Sequence, residues 1–179
     1  MARRFHDAEQ LLPPATALKR ALAIIYDGLI SIAVLLVTTW AYTMVAGWIT
    51  GWDTYEQMAE AGELSGDPGL TFVLFLVLYL FFAYFWTRIG QTLGMQVWRV
   101  RIENLDGTSV SWTQALIRYI TAAFVVFLTI MGAYYLGSLT LLLTVPAIIA
   151  LFYPINGLSL TDRASNSVVV QVPRPEKKK

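Results

Sequence analysis

Long uncharged stretches, rather than short amphipathic ones, divide this chain. Ala21 to Thr50 contains one charge, Asp27; Gly69 to Thr87 contains none; Tyr119 to Thr161 contains none. A helix needs about 20 apolar residues to cross a hydrocarbon core of about 30 Å. The first two stretches therefore predict one span each, at about residues 21–43 and 70–87. As one helix the third would reach roughly 64 Å, about twice the core, so it must break. Gly132, Gly137 and Ser138 around the Tyr134-Tyr135 pair mark the break, since glycine supports a turn and tyrosine favours the interface. Spans at about 119–134 and 138–154 result, giving an all-α membrane protein with four transmembrane helices.

Between the second and third spans the pattern changes. Val97, Arg99, Arg101 and Glu103 alternate with Trp98, Val100 and Ile102, a period of two that predicts a strand. Asn104-Leu105-Asp106-Gly107 is a turn sequence, and Ser109-Val110-Ser111 can return, so a small cytoplasmic hairpin is expected there. Such a hairpin is marginal alone. Ser165 to Val172 has strand propensity and could add a third strand. Gly90-Gln91-Thr92-Leu93-Gly94 reads as a tight bend at the membrane surface. Residues 1–17 form a cytoplasmic N-terminal segment, 18–172 the transmembrane domain, and 173–179 a basic disordered tail.

Composition agrees: 56% of residues are hydrophobic and 14% charged, against about a quarter charged in soluble domains. The thirteen basic residues fall in three groups. Arg3, Arg4, Lys19 and Arg20 precede the first span; Arg88, Arg99, Arg101 and Arg118 lie between the second and third; Arg163, Arg174 and Lys177 to Lys179 follow the fourth. The loop after the first span carries Asp53, Glu56, Glu60, Glu63 and Asp67 and no basic residue. Four spans put every basic group on one side, as the positive-inside rule requires, with both termini cytoplasmic in a bacterial inner membrane. The apolar stretch after Arg20 is too long for a cleavable signal. Cysteine is absent and His6 is the one histidine, so no disulfide, zinc site or other metal site is expected. No cofactor is implied. Net charge is +1 and no nucleic-acid motif occurs, so nucleic acid is not an expected partner. Catalytic motifs of hydrolases, metalloproteases and P-loop enzymes are missing, and no enzyme activity is expected.

Asp27 carries the sharpest chemistry. With a helix starting near Leu18 it lies about 13 Å along the first span, where a carboxylate must be paired, protonated or wetted. Arg20 shares its face, but helical side chains lean toward the N-terminus, so Arg20 should snorkel to the headgroups. Asp27 is instead expected to meet Arg118 or Arg88 from another span, or a bound cation. Ala23, Ser31, Val34 and Thr38 on the same face permit close helix contact. Two readings stand, an ion or proton site and a structural pin. Asp162, beside Arg163, reads first as a pin or cap at the cytoplasmic end. Arg20 and Arg118 read as topology anchors that can hold anionic lipid. Asn156 reads as a cap of the fourth span, Pro146 as a kink within it, and His6 as exposed. Gly47 and Gly51 have the spacing of a helix-dimer motif at a span end.

These landmarks resemble the RDD family of small bacterial membrane proteins, named for one arginine and two aspartates. The resemblance rests on Arg20 and Asp27 in the first span and on Gly90, Thr92 and Gly94 after the second. It continues through the Arg/Ile/Val strand, the Asp106-Gly107 turn and Arg118, and ends at Asp162 in Thr161-Asp162-Arg163-Ala164. It covers roughly residues 15 to 172. Many members have His where Thr161 stands, and Ala-Gly-Thr where Ala164-Ser165-Asn166-Ser167 runs, so a proton relay through that histidine cannot operate here. The resemblance implies transport, with sodium/proton exchange associated with some members. The ion- or proton-binding candidates are then Asp27, Arg118 and Asp162. A small cation/proton transporter, working as a homodimer because four short spans make a thin wall, is the first expectation. A non-catalytic accessory or assembly subunit docked to a larger membrane complex is the alternative. A third is lipid handling, since Arg20, Arg88 and Arg118 crowd one headgroup layer.

Overall fold

The computed structural model describes residues 3–6, 12–136 and 153–173. Among them, three helices are long and apolar enough to cross a membrane: α1 (Ala17–Thr50), α3 (Pro68–Arg88) and α5 (Trp112–Leu136). Two short helices, α2 (Trp52–Glu60) and α4 (Leu93–Val97), and strand β1 (Val100–Glu103) lie between them. Helix α6 (Leu160–Ala164) and strand β2 (Val168–Gln171) follow. Leu29, Ile32, Leu36 and Trp40 of α1, Phe72 and Leu80 of α3, and Phe124 and Phe127 of α5 are all exposed. Apolar surface on that scale is foreign to a water-soluble monomer and normal where hydrocarbon is the solvent.

The spans differ from expectation at their ends. The 34 residues of α1 reach about 51 Å, well beyond the hydrocarbon thickness. Helix α5 starts at Trp112 rather than at residue 119, because Ser111 and Gln114 cap it reciprocally. The Gln114 N–H donates to Ser111 Oγ at 3.2 Å and the Ser111 N–H to Gln114 Oε1 at 2.9 Å. Arg118 is thus inside the helix rather than ahead of it. Helix α5 also runs through Gly132 to Leu136, so no break falls at Gly132. The expected fourth span at 138–154 lies almost wholly outside the described residues, as do Pro146 and all of the tail but Pro173.

The chain divides into two compact units, residues 28–81 and residues 1–27 with 82–179. In the first, the Tyr42 hydroxyl of α1 donates to Asp67 Oδ2 at 2.8 Å, and the Gly69 N–H donates to Oδ1 at 2.7 Å. Those bonds hold the Asp67 carboxyl below the usual carboxylate range. Gly47 has a local explanation: a Cβ there would come within 2.6 Å of the Trp52 ring. The room that the dimer-like spacing provides is therefore taken by the chain's own indole.

The second unit has a core of Ala15, Ala23, Met95, Val100, Ile102, Val110 and Val169, against which Trp86 and Trp98 pack. Strand β1 is shorter than its alternation implied, because the Thr92 side chain accepts from the Met95 N–H and starts α4. Arg99, at φ 53°, then turns the chain from helix into strand. The expected hairpin is not formed. Strand β1 pairs antiparallel with β2, Ile102 opposite Val169 and Arg101 opposite Val170. The turn at Asn104–Gly107 does form, but α5 begins too soon after it for a return strand. Instead the Ser109 N–H donates to the Arg3 carbonyl at 2.7 Å, and Arg4 bridges Thr108. The N-terminal segment is thus part of this unit. His6, expected to be exposed, is half-buried, with Nε2 2.8 Å from Glu103 Oε1. Arg101 Nε donates to the other Glu103 oxygen at 2.8 Å and its guanidinium covers the Phe5 ring.

The β1–β2 register has a direct test. The Ile102 N–H donates to the Gly90 carbonyl, and the Val169 carbonyl accepts from Ala15. Both groups point away from the β1–β2 seam, so Ile102 and Val169 form the closer, non-hydrogen-bonded kind of pair. In this cysteine-free chain, Ile102→Cys with Val169→Cys is expected to give a reducible intrachain cross-link on mild oxidation, read as a gel mobility shift. A pair that stays reduced in folded protein would contradict the register.

Candidate functional site

Arg20 stands in the first turn of α1, and on the same face follow Ala23 and Asp27, all three buried. This stripe organises two polar clusters.

The first centres on Asp162. Ser159 is the N-cap of α6: its hydroxyl accepts from the Asp162 N–H, and Asp162 Oδ2 accepts from the Ser159 N–H at 3.0 Å. The same oxygen accepts from Arg20 Nη1 at 2.6 Å, and Oδ1 lies 2.6 Å from Arg118 Nη2. The Asp162 side chain is 0% exposed, and those of Arg20 and Arg118 are 5% and 9% exposed. Arg20 is saturated further: Nε donates to the Ala15 carbonyl, and Nη2 to the carbonyls of Gly157 and Val169. Arg118 Nη1 donates to Ser167 Oγ at 2.9 Å and to Ser165 Oγ at 3.5 Å, and its guanidinium stands 5.9 Å from the Trp86 ring centroid. Burial pushes the Asp162 carboxyl up. The charges of Arg118 and Arg20 and the Arg20 and Ser159 hydrogen bonds outweigh it, so it titrates below the usual carboxylate range.

The second cluster centres on Asp27. Its Oδ2 accepts from the Thr92 hydroxyl and its Oδ1 from the Gly94 N–H at 2.9 Å. No basic side chain bonds it among the described residues. Each position of the Gly90-x-Thr92-x-Gly94 block has a reason. Gly90 sits at φ 74° and a Cβ there would lie 2.8 Å from the Ile102 carbonyl oxygen. Thr92 both caps α4 and bonds Asp27. At Gly94 a Cβ would collide with the Ala23 carbonyl oxygen and lie 2.9 Å from Asp27 Oδ1. Backbone meets backbone there, and no side chain fits.

Several expected roles are therefore corrected. Arg20 does not snorkel: its donors are taken by the Asp162 carboxylate and by the carbonyls of Ala15, Gly157 and Val169. Asp27 meets neither Arg118, which is spent on Asp162, nor Arg88, which is exposed at the end of α3. Asp162, read as a pin or cap, closes the capping box of α6 and pairs with Arg20 and Arg118, while the guanidinium of neighbouring Arg163 bonds the Ile155 carbonyl. Asn156, at φ 54°, forms with Gly157, at φ 85°, the two-residue turn between Ile155 and Leu158. The hydroxyls of Ser159, Ser165 and Ser167 were not anticipated. The Ser159-x-x-Asp162 spacing is the signal that could have found the first of them.

A family model, the RDD family, matches residues 14–166, a stretch that contains Arg20, Asp27, Thr92, Gly94, Arg118 and Asp162. The chain belongs to the RDD family. No curated protein and no solved structure matches it. In this RDD protein Arg20 and Asp162 form one ion pair, and Asp27 serves a separate hydrogen-bonded contact. Thr161 is 1% exposed and its hydroxyl lies 3.0 Å from Ser159 Oγ.

Gly94→Ala is expected to lose about 2 kcal/mol or more of stability by forcing α4 off α1. Gly28→Ala, in the same helix as Asp27 with nothing within 4 Å of its added Cβ, should be neutral or stabilise by about 0.5–1 kcal/mol. Unfolding in detergent checks the pair, and equal effects would contradict the close contact.

Proposed function

We propose that this RDD membrane protein is a small bacterial inner-membrane transporter that exchanges a proton or monovalent cation at Asp27. The supporting observation is a buried carboxylate on a membrane-crossing helix that is bonded by a hydroxyl and an amide and, among the described residues, by no basic group. Two donors occupy two of its four or so lone-pair positions, so acceptor capacity remains for a proton or a sodium ion. Intramembrane acids are commonly such sites. In this reading Arg20, Asp162 and Arg118 are the fixed frame, and Asp27 is the group that changes state. Loading Asp27 with a cation alters its hold on Gly94 and Thr92, coupling occupancy to the position of α4. The orientation is four spans with both termini cytoplasmic, supported by the three basic groups and the acidic loop.

A second reading, an accessory or assembly subunit of a larger membrane complex, is favoured by a different observation. Asp27 also has a complete structural task, holding the start of α4 against Ala23. A chain built only for packing needs nothing more from it.

Sodium-driven proton movement in proteoliposomes separates the two. The transport reading expects flux in the wild type and loss of at least about 90% of it in Asp27→Asn, at matched insertion and folding. A well-folded wild type that moves no protons under a sodium gradient transfers the assignment to the accessory reading.

A further inference from the structure

We propose that the cleft between the end of α3 and the start of α5 binds a phosphate group, with Arg88 as its cation. The cleft measures about 440 Å³, within the usual range for small-ligand sites. Arg88, Asn104, Ser109, Ser111, Trp112 and Gln114 line it, and no carboxylate does. Arg20, Arg101 and Arg118 each face an acidic side chain. The Arg88 side chain makes no hydrogen bond or ion pair with any described residue.

The neutral lining is also arranged to donate. Ser109 Oγ accepts from the Arg3 N–H at 3.0 Å, and Ser111 Oγ accepts from the Gln114 N–H at 3.2 Å. Each hydroxyl therefore keeps its own proton, and neither donates it to another described residue. Ser109 is 5% exposed, so its hydroxyl cannot rely on bulk water. Asn104 and Gln114 are locked to each other, Gln114 Nε2 donating to Asn104 Oδ1 at 2.8 Å, which makes the floor rigid. One guanidinium and two spare hydroxyl protons, with the positive end of α5 behind Ser111, suit an anion with several acceptor oxygens.

The cleft opens where two membrane-crossing helices end, and half-exposed Trp112 stands at its rim as interfacial tryptophans do. The phosphate of an anionic phospholipid reaches that place without leaving the bilayer. A soluble phosphate would satisfy the same donors.

Native mass spectrometry of the full chain, offered equal phosphatidylglycerol and phosphatidylcholine, tests the site. The wild type should retain the anionic lipid roughly tenfold over the zwitterionic one. Arg88→Gln should abolish that preference, Arg88→Lys should restore part of it, and Arg163→Gln should leave it intact. In lipid-free detergent, inorganic phosphate that raises the melting temperature of wild type and not of Arg88→Gln would support the site, with soluble phosphate as the source. The proposal is overturned by a lipid preference that survives Arg88→Gln. It is equally overturned by equal retention of both lipids together with no Arg88-dependent effect of phosphate. None of these outcomes depends on ion transport.

Discussion

One buried carboxylate holds two helices and a C-terminal segment together. Asp162 receives Arg20 from α1 and Arg118 from α5, and its own N-cap amide from Ser159. Taking such groups out of water costs several kcal/mol per ion, and that cost is recovered only when geometry and further hydrogen bonds are good. Here they are. Arg20 has three carbonyl acceptors besides the carboxylate, and Arg118 has two serine hydroxyls and an indole face. Two cations nevertheless meet one anion, so the cluster is positive by one charge and depends wholly on Asp162 to keep the guanidiniums together.

Asp27 supplies the opposite imbalance. Seven residues after Arg20 on the same face of α1, it is a buried acid that bonds no basic side chain among the described residues. The four buried groups sum to zero when Asp27 is ionised and to +1 when it is neutral. Arg20, Arg118, Asp162 and Asp27 thus form one charge-balanced set, split into a rigid ion-paired part and a part held only by hydrogen bonds. That asymmetry gives Asp27 its interest, because a proton or cation arriving there changes the balance without breaking an ion pair.

The sequence made the membrane spans legible because uncharged length is a local property, and Ala17–Thr50, Pro68–Arg88 and Trp112–Leu136 all contain a predicted one. Capping was legible in principle but shifted the start of α5, since Ser111 and Gln114 carry the helix back past Arg118. Strand pairing was legible only in part: Ser165 to Val172 was readable as an added strand, and it supplies β2, but not as the direct partner of β1 in place of Ser109–Ser111. Alternation at Val100 and Ile102 predicts which side chains are buried, but it does not identify the partner strand, and β2 lies far along the chain. Ion-pair partners failed for the same reason. The N-terminal lean of a helical side chain predicted snorkelling for Arg20. The turn at Asn156-Gly157 and the cap at Ser159 bring Asp162 to it, and only tertiary structure shows that. The family landmarks did not tell which of the residues touch.

The most direct measurement is a double-mutant cycle on Arg118 and Asp162, with reversible unfolding in detergent as the readout. Arg118→Met should destabilise the wild type, where it strips a partner from a buried carboxylate. In the Asp162→Asn background, where two unneutralised guanidiniums remain, the same change should be neutral or stabilising, a coupling of about 1–3 kcal/mol. An equal loss from Arg118→Met in both backgrounds would contradict the claim that Asp162 is the charge on which this packing depends.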